Sequence, residues 1–184
     1  MKMSFNRSSV PVLCFVGTSN SGKTTLIEKI INLLTMHGYR VATVKHTHKE
    51  FAIDTEGKDS WRHRSAGAKT VILASPKQFF MVSDADLELT IEDVLYKYVN
   101  NIDILIVEGF KRDVYPKIEV YREGVSGELR CLNDSSIIAF VSDKSRDIPV
   151  PAFNINDAVG ITNFIEQRIL QQAGKFQNTH DSGG

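Results

Sequence analysis

Residues 12–24 read Val12-Leu13-Cys14-Phe15-Val16-Gly17-Thr18-Ser19-Asn20-Ser21-Gly22-Lys23-Thr24. The first five form a short, nearly continuous apolar run, which suits a strand buried on both faces and ends at Gly17. The next eight match GxxxxGK[ST] at every fixed position. From Thr24 to His37 the apolar residues Leu26, Ile27, Ile30, Ile31, Leu33 and Leu34 recur at helical spacing, and Gly38 follows where a helix ends. Strand, glycine-rich loop and helix therefore stand in the order that a phosphate-binding loop requires. Gly17, Thr18, Ser19, Asn20, Ser21 and Gly22 would curl backbone N–H groups around phosphate oxygens, with Thr25 in the first helical turn and the helix N-terminus adding partial positive charge. Lys23 can reach the outer phosphates, and the Thr24 hydroxyl is placed to ligate Mg²⁺.

Outward from this stretch, strands and helices alternate. Arg40–Lys45 reads as a second strand, and Thr70–Ser75 with Gln78–Val82 as two more around Pro76. Thr90 with Asp93 forms a capping box for a helix through Tyr98. Ile102–Val107 and Ile137–Val141 are again continuously apolar apart from Asp103, and read as central parallel strands. Asp157 caps a last helix that carries Ala158, Ile161, Ile165 and Ile169 on one face. One segment breaks the pattern. Lys117–Arg122 alternates at period two, Gly124 and Gly127 mark a turn, and Glu128–Leu132 offers a return strand, so a hairpin extension is expected there. The fold class is α/β of the P-loop NTPase type, a largely parallel twisted sheet flanked by helices, with ligands beyond the carboxyl ends of the strands. The expected organisation is an arm at 1–10, one nucleotide-binding domain at 11–172 and a disordered tail at 173–184.

Composition limits the function. The chain has 184 residues with 22 basic against 22 acidic, so its formal net charge is zero and no chain-wide field favours nucleic acid or an anionic membrane. No run approaches the roughly 20 apolar residues of a membrane span, and Met1–Val10 lacks the features of a signal peptide. Cys14 and Cys131 lie far apart among apolar neighbours, which fits buried free thiols in a reducing compartment, the cytoplasm.

A carboxylate near the Mg²⁺ should emerge from the end of a neighbouring strand. Glu108, directly after Val107 and before Gly109, fits that place, whereas Asp103 lies at the opposite end of the same strand. Asp54 and Asp59, after the second strand, are further candidates for the metal. Lys23, Glu108 and Asp54 are thus the expected catalytic set, and Thr24, Glu108 and Asp54 the metal set. His46 and His48 with His63 could hold a transition metal, but Cys or carboxylate partners at ligand spacing are absent and plain hydrogen-bond donors are the stronger reading. Arg62 and Arg64 with Lys45 and Lys111 form either an anion-binding rim or solvated surface charge. No [NT]KxD string selects guanine, and Asp143, after a late strand, is the candidate acceptor for a guanine edge.

Three strings in order, Gly17–Thr24, Lys45-His46-Thr47-His48 through Asp54 to Gly57–Ala68, and Val107-Glu108-Gly109-Phe110-Lys111, resemble the molybdopterin-guanine dinucleotide biosynthesis protein B family of molybdenum-cofactor adapters. The resemblance runs from about Val12 to Ile155. It implies a dimeric GTP-binding protein, weakly hydrolytic, that uses GTP and Mg²⁺. The implied partner is the molybdenum-cofactor guanylyltransferase, which joins GMP to the molybdenum-bound pterin, with molybdopterin-insertion proteins as further candidates and neither nucleic acid nor membrane. It also implies that Asp54, Asp59, Arg62 and Arg64 belong to the site. Two rival readings are a small-molecule P-loop kinase and a metallochaperone GTPase. The homodimer is expected to form through an unpaired edge of the Lys117–Arg122 segment.

Overall fold

The computed structural model describes residues 10–47, 54–85 and 88–171. The chain divides into two compact units, one formed by the residues up to His46 and from Val99 onward, the other by Thr47–Tyr98.

The first unit holds a six-stranded parallel sheet. Its strands are β1 (Val12–Val16), β2 (Val41–Lys45), β5 (Ile104–Glu108), β6 (Lys117–Tyr121), β7 (Ile137–Ser142) and β8 (Ala152–Asn154), in the spatial order β2-β5-β1-β6-β7-β8. The central strands β1 and β5 are buried almost throughout, as their unbroken apolar runs require. On one face, Leu13, Phe15, Ile104, Ile106, Ile118, Val120, Ala139 and Val141 pack with α1 (Lys23–Met36), through Leu26, Ile27, Ile30 and Leu34. They also pack with α4 (Ala158–Ile165) and the π-helical turn Glu166–Leu170 that continues it. The Asp157 carboxylate accepts from the Gly160 N–H at 2.9 Å and so caps α4 as the sequence predicts. Asp103 sits at the amino end of β5, where the Arg40 guanidinium holds its carboxyl down to about 2, away from the functional edge.

The second unit carries α2 (Asp59–Ser65), the antiparallel hairpin β3 (Thr70–Ala74) and β4 (Phe79–Ser83), and α3 (Ile91–Lys97). The Thr90–Asp93 capping box is present, with the Asp93 N–H donating to Thr90 Oγ1 at 3.0 Å and the Thr90 N–H to Asp93 Oδ2 at 3.2 Å.

Lys117–Arg122 is not half of a hairpin. As β6 it is an interior parallel strand between β1 and β7, and the supposed return strand is a crossover whose residues Arg130–Leu132 form a 3₁₀ turn. Among the described residues the antiparallel hairpin is β3–β4. The alternation misleads because the polar positions of β6 are buried, not solvated: Lys117 and Glu119 are each only 2% exposed. Ile118 and Val120 face the core beneath α1, so Lys117 and Glu119 point to the opposite face. There the Lys117 ammonium donates to Asp113 O and Ser136 Oγ, with Asp134 Oδ2 at 3.4 Å. Glu119 accepts the Arg130 N–H at 2.9 Å and the Cys131 N–H at 2.8 Å, one on each oxygen. Hydrogen bonds to a charged group contribute about 1.5–3 kcal/mol each, which offsets the desolvation of the carboxylate. β6 therefore offers no free edge at which a second copy could pair.

Cys14 and Cys131 are buried and unpaired. Burial pushes the Cys14 thiol up to about 12 and, with the Glu119 charge adding, the Cys131 thiol up to about 11, so both are inert packing groups. Among the described residues no helix is long and apolar enough to cross a membrane.

Candidate functional site

The site is built where β1 runs out. Gly17 follows β1 at φ 148°, and a Cβ there would lie 2.2 Å from Val120 O, so the loop passes β6 only with glycine. Residues 18–21 then turn back toward α1, with Asn20 in the left-handed conformation at φ 64°. Gly22 precedes α1 without any side-chain cap, and the first intrahelical bond is Leu26 N–H to Gly22 O at 3.0 Å. The amides ahead of it, at Lys23, Thr24 and Thr25, thus have no helical acceptor. This is the backbone cradle that the sequence motif demands, and an anion fits it.

Lys23 folds over the loop. Its ammonium donates to Thr18 O at 2.7 Å, Gly17 O at 3.2 Å and Ser21 Oγ at 3.4 Å. Burial lowers its pKa, Lys111 and Lys45 lower it further, and Glu108 opposes them. Three lysines thus concentrate positive charge around the loop, which favours a phosphate chain there. Lys45 and Lys111, read from the sequence as a candidate rim, sit within electrostatic reach of Lys23.

Glu108 arrives through strand register. β1 and β5 pair in parallel with Phe15 opposite Glu108, and β2 and β5 pair with Lys45 opposite Glu108. Its carboxylate accepts from the Thr24 hydroxyl at 3.1 and 3.2 Å and lies 3.3 Å from Lys45 Nζ. A hydroxyl and a carboxylate converging at the N-terminus of the helix are hard oxygen donors suited to Mg²⁺. The turn after Glu108 is tightly determined: Gly109 has φ 116°, and a Cβ on it would lie 3.0 Å from His46 Cβ. Phe110 follows at φ 50° and packs on the His46 ring at 4.4 Å between centroids. His46 is thus a packing partner of this turn.

The remaining predicted residues divide as follows. Asp54, Asp59, Arg62 and Arg64 all belong to the Thr47–Tyr98 unit. Asp54 Oδ1 accepts from Ser60 Oγ at 2.8 Å and the Thr55 N–H at 2.9 Å, while its Oδ2 is buried without a partner among the described residues. An orphaned carboxylate oxygen of this kind suits an external donor or cation. Asp59, Arg62, His63 and Arg64 lie on α2, a short helix with almost no apolar face. Arg64 pairs with Asp84 at 3.0 Å, and Arg62 is largely exposed. His48 lies outside the described residues, among which no three His, Cys, Asp or Glu side chains converge as a metal site. Asp143, just beyond the carboxyl end of β7, accepts the Glu123 N–H on Oδ1 at 3.0 Å, and this bond holds its carboxyl below the usual range.

The family profile described as "Molybdopterin guanine dinucleotide synthesis protein B", MobB, matches residues 12–143. The chain belongs to this family. It is 33% identical to the molybdopterin-guanine dinucleotide biosynthesis adapter protein of Haemophilus influenzae over 166 residues, 90% of this chain and 93% of that protein. It is also 33% identical to the protein of the same name from Escherichia coli over 172 residues, 91% of this chain and 98% of that protein. Among solved structures, a crystal structure of molybdopterin-guanine biosynthesis protein B superposes with a TM-score of 0.68 at 29% identity, covering 85% of this chain and 97% of that one. Bacillus subtilis MobB superposes at 0.67 and 28% identity, covering 86% and 98%. The MobB match begins at the first residue of β1 and ends at Asp143, so it takes in the loop, Glu108 and the carboxyl edge of the sheet.

Glu108→Gln keeps the side-chain shape and removes its charge. It should weaken the Mg²⁺-dependent part of nucleoside triphosphate binding about tenfold or more, one lost charge-assisted contact, with the thermal midpoint unchanged. Calorimetry with and without Mg²⁺ measures this, and equal Mg²⁺ dependence in the variant would reduce Glu108 to a partner of Lys45.

Proposed function

We propose that this chain binds GTP with Mg²⁺ and in that state assists the guanylyltransferase that attaches GMP to molybdopterin, acting as an adapter in the cytoplasm. The observation that supports this reading most strongly is the Thr24–Glu108 pairing at the mouth of a glycine-built cradle, in a chain 33% identical to two proteins named as adapters of molybdopterin-guanine dinucleotide biosynthesis. The backbone of residues 17–25 and Lys23 carry the phosphates. Thr24 and Glu108 hold Mg²⁺, and within the Thr47–Tyr98 unit the orphaned Asp54 oxygen, with Arg62 and Arg64, offers further polar groups to the ligand. Asp143, anchored through Oδ1, meets the guanine edge with its other oxygen. Two buried free thiols suit a reducing compartment. Molybdopterin-insertion proteins are further partners in this scheme.

Hydrolysis on such a site is slow, because no side chain in the loop or at the carboxyl end of β5 is set to orient an attacking water. The contribution of the nucleotide therefore shows in the partner's reaction. That separates the adapter from a small-molecule kinase, which would transfer phosphate to its own acceptor, and from a metallochaperone, which would purify with stoichiometric metal.

Two copies associate through the β3–β4 hairpin in this proposal. Ile72, Ala74, Phe79 and Met81 share one face of the ribbon by cross-strand pairing, and Ile72 and Phe79 are 59% and 71% exposed. A two-stranded ribbon with a bare apolar face is marginal alone and gains by being covered.

Two outcomes are expected. With GTP and Mg²⁺ the wild type should raise formation of the guanylylated pterin by the transferase, and Lys23→Ala should abolish the increase. Equal stimulation by the variant would make nucleotide binding incidental. In light scattering at tens of micromolar, a range that populates moderate contacts, the wild type should be dimeric and the pair Ile72→Glu with Phe79→Glu monomeric. A dimer that survives both changes would place the interface elsewhere.

A further inference from the structure

We propose that Lys45 is a triphosphate sensor: in the metal-free chain it neutralises the Glu108 carboxylate, and once Mg²⁺ takes that carboxylate its ammonium passes to the outermost phosphate of the nucleotide. The role rests on the loop's being a Mg²⁺–nucleotide site, and it adds what tells a triphosphate from a diphosphate there.

Strand register puts the lysine in place. Ile106 of β5 packs against α1, so the period of two sets Glu108 on that same face. Lys45, the last residue of β2, lies directly opposite Glu108 in the parallel ladder and therefore shares the face. Its backbone is pinned there, because the next residue, His46, donates its N–H to Glu108 O at 2.9 Å. Only the side chain has freedom. Lys45 is 62% exposed against 17% for Glu108, so the lysine is the member of the pair with room to move. A cavity of about 210 Å³ between α1 and β2 is bordered by Thr24, Lys45 and Glu108 together, and the ammonium and both candidate metal donors face one space.

Two cations compete for one carboxylate in that space. Lys45 Nζ stands 3.3 Å from Glu108 Oε1, and the Thr24 hydroxyl lies 3.2 Å from the same oxygen. An ion pair this exposed adds little to the stability of the fold. What it does is hold the half-buried carboxylate neutralised until a metal arrives. A divalent ion between Thr24 and Glu108 would repel the ammonium and take over its partner, leaving Lys45 to seek another anion. The phosphate loop is within its electrostatic reach: burial does most to lower the Lys23 pKa, and Lys111 and Lys45 lower it further against the opposing Glu108. A third phosphate supplies the anion on which Lys45 can settle, whereas a diphosphate leaves the lysine on Glu108 as a competitor of the metal. Differential contact of one side chain with the two states is what shifts the balance between them.

The test measures two quantities that a static surface ion pair would not move in this combination. Calorimetry of the full chain with GTP and with GDP, each with Mg²⁺, gives the preference for the triphosphate. Mn²⁺ titration of the GDP-loaded chain, followed by electron paramagnetic resonance, gives the affinity of the metal site. Lys45→Ala should lower the preference for GTP over GDP about tenfold, the loss of one charge-assisted contact. The same variant should bind Mn²⁺ about two- to fivefold more tightly with GDP, because the competing ion pair is gone. Lys45→Arg keeps the charge and should keep most of the preference. Lys111→Ala, the control for local charge, should weaken both nucleotides alike. An unchanged preference in Lys45→Ala, Mn²⁺ binding that stays the same or weakens, or the same pattern from Lys111→Ala would overturn the proposal. A wild type that fails to bind GTP with Mg²⁺ removes the nucleotide reading and the sensor together, whereas GTP binding with an unchanged preference in Lys45→Ala removes the sensor alone.

Discussion

The functional edge of this molecule depends on the parallel register that β1 keeps with its two neighbours. Pairing Phe15 with Glu108 sets the β5 carboxylate level with the end of β1, one strand away from the helix that carries Thr24. Pairing Val16 with Glu119 brings β6 so close to the exit of β1 that only Gly17 can pass Val120 O. A slip of one residue would reverse every side chain on the strand. It would carry Glu108 away from Thr24 and bury a charge under α1. The apolar runs of β1 and β5 resist that slip because both of their faces are packed.

Around this frame the sheet treats its two faces differently. One is an ordinary apolar core against α1 and α4, whereas the other, at β6, is organised by charge. Lys117 and Glu119 hold the chain segments on either side of β6 through main-chain and hydroxyl contacts. The arrangement trades the simple stability of an apolar interior for a specified path of the crossover from β6 to β7. The lysines near the loop make the same kind of exchange: burial and mutual repulsion depress Lys23, a strain that an entering phosphate chain relieves.

Much of this was legible in the sequence, for identifiable reasons. The phosphate loop, the flanking strand and helix, Glu108 at a strand end, and the caps at Thr90 and Asp157 each follow from a local rule that tertiary context did not override. The misreading of Lys117–Arg122 has an equally local cause. Alternation reports that two faces differ in polarity, and it cannot separate water from a buried network of main-chain donors as the polar environment. The strand β8 escaped because three residues after Pro151 carry too short a pattern, and α2 because Asp59–Ser65 has almost no apolar face. Asp143 was placed correctly at the end of a strand, but its bond to the Glu123 N–H depends on two crossovers meeting, which spacing along the chain does not encode.

Membership of the MobB family and the geometry of the loop lead to one claim, that nucleotide and Mg²⁺ are gathered by β1, α1 and the end of β5. The most direct measurement is a crystal structure of the chain with a non-hydrolysable GTP analogue and Mg²⁺. The account predicts the phosphates lying along the N–H groups of residues 20–25, Lys23 released from Thr18 O and turned to the outer phosphates, and the metal held at Thr24 Oγ1 with Glu108 beside it. Phosphates bound away from Gly17–Thr24, or a metal distant from both Thr24 and Glu108, would contradict it.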